Sequence, residues 1–106
     1  MKILLDECVP AQVRNALAGH DVTTVQMHGW TGIKNGALLA EAEAAAFDVF
    51  ILADKNLRYQ QNLAARRMAI LELWTNHHPT LERHFPHIRA AAEFIQPGEY
   101  RVLESP

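Results

Sequence analysis

Three carboxylates stand where apolar segments end. Asp6 and Glu7 close "KILL" (2–5), and Asp54 follows "DVFIL" (48–52) by one intervening residue. Like charges brought within a few ångströms repel, and folding ordinarily avoids or protonates them. A divalent cation removes the conflict. Mg²⁺ takes oxygen ligands, keeps several of its waters and uses one or two protein carboxylates. Held there, such an ion polarises a phosphodiester and lowers the pKa of an attacking water. Capping of a following helix is the simpler role for Asp6 and Glu7. It leaves Asp54 unexplained.

A basic run follows Asp54 directly. Lys55, Arg58, Arg66 and Arg67 fall within 55–67, a window without a single acid. Lys and Arg on phosphates supply most sequence-independent affinity for nucleic acid. Tyr59 and Trp30 have rings that can stack on unpaired bases. The plainer alternative is a solvated amphipathic helix whose last turn carries Arg66 and Arg67 against its negative end.

These groups need elements to position them. "KILL" reads as a buried strand, and Pro10 opens a helix closed by Gly19. "DVTTV" (21–25) alternates and reads as a strand. Residues 28–36 read as a loop, with Asn35 capping a helix over 37–46. "DVFIL" and "MAILEL" (68–73) are apolar runs of strand length on either side of a helix over 56–67. Residues 80–95 read as a helix interrupted early at Pro86, and "EYRVL" (99–103) as a last strand. The order βαβαβαβαβ predicts a largely parallel sheet covered on both faces. Ligands of such sheets bind beyond the carboxyl ends of the strands, where the strand order reverses. Asp6 and Asp54 converge there if their strands are neighbours.

The chain has 106 residues, 49% hydrophobic, enough for one domain over 1–106 with its own core. Cys8 is the sole cysteine, so no disulfide forms within the chain, which fits a reducing compartment. No secretory signal and no apolar stretch of about 20 residues is present. The expectation is a cytoplasmic protein that does not enter membranes. A net charge of −2 argues against generic nucleic-acid affinity but leaves room for a local basic patch. His77, His78, His84 and His87 lie within eleven residues, but structural zinc usually recruits cysteines, and an exposed connection is the expectation. Trp74 and Phe94 read as core.

"MKILLDECVP", "GIKNGALLAEAE" and "FDVFILADKNLRYQQNL" together resemble the PIN-like family of small ribonucleases, many of them toxins of toxin–antitoxin pairs. The likeness covers roughly residues 1–75 and is most specific at "LLDEC" and "ILADKNL". It implies a three-layer α/β/α sandwich with a mainly parallel sheet of four to five strands. It also implies Mg²⁺- or Mn²⁺-dependent cleavage of RNA, with Asp6 and Asp54 as the acids carried over. Relatives commonly have Asp where this chain has Asn35 and Asn56. Each amide keeps an oxygen for a metal but removes a negative charge. Glu7 or Glu41 would complete the shell or orient water, and Glu43 is a further acid on the same helix. The implied partners are RNA, a small antitoxin protein and a second copy of the chain in a homodimer.

Two other readings compete. The asparagines fit a catalytically weakened PIN-like module that engages a partner protein. Adjacent acids after the first strand, Asp54 after the third and Thr75 after the fourth also fit a receiver-type phosphoacceptor, although no Lys follows Lys55.

Overall fold

A computed structural model describes residues 1–33, 35–53 and 67–106, together with the backbone but not the side chain of Asn35. Five described strands, β1 (Lys2–Leu5), β2 (Asp21–Thr24), β3 (Val49–Leu52), β4 (Ala69–Glu72) and β5 (Tyr100–Val102), form one open sheet in the order β2-β1-β3-β4-β5. Every pairing is parallel. The expected helix over 56–67 lies outside the described residues.

The strands separate two apolar layers because their side chains alternate. Ile3, Leu5, Val49, Ile51, Ala69 and Leu71 face one cluster; Leu4, Phe50, Leu52 and Ile70 face the other. Every residue of β3 and β4 is buried, which explains why both read as continuous apolar runs rather than alternating ones. A 3₁₀ helix, Ala11–Leu17, covers the first face with Val13, Ala16 and Leu17. Leu81 of α2 (His78–Glu82) and Ile88, Ala91 and Ala92 of α3 (Phe85–Phe94) complete that layer. Helix α1 (Asn35–Ala44) covers the second face with Leu38, Leu39 and Ala42. The result is helix, sheet, helix.

Several expectations change, and the histidine tract is one: His78 opens α2, and half-buried His84 and His87 begin α3, where an exposed connection was expected. The helix expected over 80–95 is two helices, and the break falls at Arg83–His84 rather than at Pro86. Pro86 sits in the first turn of α3, where its missing N–H has no intrahelical acceptor to lose. Phe94, expected in the core, is 71% exposed at the end of α3. Trp74 is half-buried against the first cluster. Among the described residues, no helix is long and apolar enough to cross a membrane.

Helix α1 ends in a way that binds it to β3. Phe47 N–H donates to Ala42 O at 3.2 Å and Ala46 N–H to Glu43 O at 3.0 Å, the paired bonds of a Schellman turn. Ala46 takes the left-handed conformation this requires, at φ 64°, in a place where glycine is the usual residue. Phe47 then buries itself in the second cluster.

Candidate active site at the carboxyl edge

The chain passes from β1 to β2 on one side and crosses back to β3 on the other, so the strand order reverses between β1 and β3. The carboxyl ends of those two strands form the crevice in which sheets of this kind bind ligands. Asp6 sits there. Its N–H donates to Ile51 O at 2.9 Å, which locks the residue beside the end of β3. Its carboxylate is half-buried and accepts the Cys8 S–H at 3.1 Å. The turn that follows is closed by Val9 N–H on Asp6 O at 3.0 Å, so the main chain of Asp6 is bonded on both sides.

The neighbourhood of β1 and β3 that the pairing of Asp6 with Asp54 requires is therefore present. Asp54 itself, with Lys55, Asn56, Arg58, Tyr59, Arg66 and the side chain of Asn35, lies outside the described residues. Glu7 is exposed. Glu41 is exposed too, six residues along α1 from Asn35. Among the described residues, no three His, Cys, Asp or Glu side chains gather to hold a metal ion.

Arg67 and Glu43 occupy the opposite, amino edge of the sheet. Arg67 is exposed just before β4 and accepts Gly98 N–H on its carbonyl. The four-residue strand β4 separates it from the level of Asp6, about 13 Å at the usual rise per residue, too far to hold the same phosphate. Glu43 accepts the N–H groups of Arg67 at 3.1 Å and Met68 at 3.2 Å. Its carboxylate is thus spent on tying α1 to the start of β4. A groove of about 430 Å³ also opens at this edge, lined by Glu43, Phe47, Asp48 and Arg67 among others. Trp30 stacks on His28 at 4.6 Å between ring centroids and meets Phe47 edge-on. One face of the indole is thus occupied by the protein's own aromatic cluster.

No family model, curated protein or solved structure matches the chain.

One acid at the carboxyl edge escapes the sequence reading. Glu72 ends β4 and is 1% exposed. Leu5 lies level with Ile51, and Leu52 with Glu72. One step further, Asp6, Leu52 and Glu72 make a row, with Leu52 between the acids. Tyr100 O–H donates to Glu72 Oε1 at 2.6 Å, which draws this carboxyl toward β5 and away from Asp6. The signal was an acid inside the apolar run "MAILEL": a buried carboxyl needs a built partner, and the tyrosine of the neighbouring strand supplies it.

Proposed function

We propose that this protein is a Mg²⁺- or Mn²⁺-dependent endoribonuclease of PIN-like type, acting as the toxin of a type II toxin–antitoxin pair. The observation that carries the reading is the position of Asp6, half-buried at the carboxyl end of β1, beside β3, where the strand order reverses. Its oxygen donors suit a hard cation, which needs one or two protein carboxylates and keeps its other ligands as water.

In this reading Asp6 and Asp54 hold the ion, and the oxygens of Asn35 and Asn56 add ligands without charge. When bound, the ion polarises the scissile phosphodiester and lowers the pKa of the attacking water. The chain's own contribution is orientation. The backbone bond from Asp6 to Ile51 and the Cys8 thiol fix the carboxylate, and the buried ends of β1 and β3 make a rigid floor. Exposed Glu7 orients water from the rim, and the cations Lys55, Arg58 and Arg66 hold the RNA backbone. An antitoxin peptide that covers the carboxyl edge would silence the site.

The test is cleavage of single-stranded RNA by the purified protein with Mn²⁺, Mg²⁺ or EDTA, alongside Asp6→Asn and Asp54→Asn. Metal-dependent cleavage that both substitutions abolish supports the reading. Wild-type protein that leaves RNA intact with either ion overturns it.

A further inference from the structure

The elbow between α2 and α3 stands on the same edge as Asp6. Trp74 follows the end of β4 by two residues, and the rings of His84 and His87 pack against it at centroid distances of 5.9 and 6.0 Å. His87 also reaches the backbone of Glu104, just past β5, at 3.3 Å. Cys8, which bonds Asp6, packs against the same core cluster as Trp74 and Phe85. The elbow therefore lies at the same edge of the sheet as the crevice, past the strand next to β3.

Among the described residues, Trp74 Nε1 is the one buried side-chain nitrogen or oxygen with no hydrogen-bond partner. An orphaned buried donor is uncommon and points to an absent water or ion. His84 flanks the first turn of α3 without capping it, and no acid stands in that turn. Arg83, the residue before, is exposed, with no ion pair among the described residues. Glu82 nearby is engaged by His78 at 3.0 Å, and Glu104, whose backbone His87 reaches, is exposed.

We propose that Arg83, His84, His87 and the Trp74 indole form a phosphate subsite that holds the backbone of the RNA strand beside the acidic crevice. This rests on the nuclease reading and replaces Arg67, which lies on the far edge. A phosphate oxygen enters as the His84 ring turns aside, accepts the indole N–H and lies between the imidazoles, with Arg83 supplying charge from outside. No base is read, so the subsite is indifferent to sequence.

The experiment measures binding of a short oligouridylate in EDTA, so that no cleavage occurs. Fluorescence anisotropy is followed over a salt series, while the two indole N–H resonances are observed by NMR. In wild-type protein, RNA shifts the Trp74 indole signal and leaves that of Trp30 in place. Arg83→Ala weakens binding about five-fold and lowers the salt slope by about one, as loss of a phosphate contact does. His84→Ala weakens it as well, whereas Arg67→Ala changes it less than two-fold. Equal losses for Arg67→Ala and Arg83→Ala, or an unmoved Trp74 signal at saturating RNA, overturn the subsite. Asp6→Asn separates the two claims. Full RNA binding by that variant without cleavage upholds the subsite whatever becomes of the metal chemistry, and metal-dependent cleavage unaffected by Arg83→Ala and His84→Ala refutes the subsite alone.

Discussion

The two edges of the sheet carry similar residues to different ends. At the amino edge charged groups are consumed by the fold. Asp48 accepts Lys2 N–H at 2.8 Å, Lys2 Nζ donates to Ala45 O and lies over the Phe47 ring, and Glu43 closes the start of β4. At the carboxyl edge the Asp6 carboxylate accepts the Cys8 thiol, and the Trp74 indole nitrogen has no hydrogen-bond partner. An acid that satisfies backbone N–H groups stabilises the chain reversal it spans. An acid held at the reversal of strand order, where sheets of this kind bind their ligands, is placed for one.

A crossed pair of substitutions tests that contrast most strongly. Asp6→Asn should lower metal-dependent RNA cleavage by about a hundred-fold or more, the scale of an interaction worth several kcal/mol in the transition state, while the urea midpoint hardly moves. Glu43→Ala should do the reverse. Two backbone donors lose their acceptor, and stability falls by about 2 kcal/mol, with cleavage per folded molecule unchanged. If Glu43→Ala abolishes cleavage in protein that remains folded, the division between the edges is wrong.

Glu72 blurs the contrast, since it is a buried acid at the carboxyl edge that serves the fold. Tyr100→Phe removes its hydroxyl donor and should cost about 1–2 kcal/mol in urea unfolding. The cost comes from a carboxyl left without its partner in an apolar layer. An unchanged midpoint would mean that this carboxyl does not depend on the bond.

Much of this division could be read before the structure, and the exceptions have physical causes. The strands were visible because β3 is buried and apolar throughout and β1 and β4 carry one charged residue each, at an end. Asp6 was visible because an acid that ends such a run is costly without a purpose. The role of Glu43 was not, because its amides lie 24 and 25 residues away in sequence, and a helix glutamate looks the same whether it faces water or a chain end. The break between α2 and α3 was misplaced because proline reads equally as a helix breaker and as a first-turn residue. Strand order left no local trace at all.

The amino edge also holds a small improvable defect. Ala46 adopts a positive φ to close the Schellman turn, a conformation costing an L-residue roughly 1 kcal/mol. Ala46→Gly relieves that strain but gives the unfolded chain more freedom. The net expectation is a gain of about 0.5 kcal/mol in chemical unfolding, without change in cleavage. A loss of stability would show that the alanine methyl contributes packing worth more than the strain.

The smallest expected effect concerns pH, at an exposed pair beside the amino ends of β1 and β2. The His20 Nε2 contact at 2.8 Å, together with Arg89 at 3.2 Å, holds the exposed Glu93 carboxyl below its ordinary value. A carboxyl whose pKa is lower folded than unfolded contributes stability that is fully present above the unfolded value, near 4.3. The contribution disappears as pH falls through the folded value. Glu93→Gln should therefore reduce stability slightly at pH 6, and the difference between the two urea midpoints should shrink as the pH falls below the unfolded value. Because exposed pairs are screened, 0.5 M salt should shrink that difference, whereas the loss caused by Glu43→Ala, whose oxygens face backbone amides, should persist. If the two losses respond alike to salt, Glu43 acts as a surface charge and not as a cap on the start of β4.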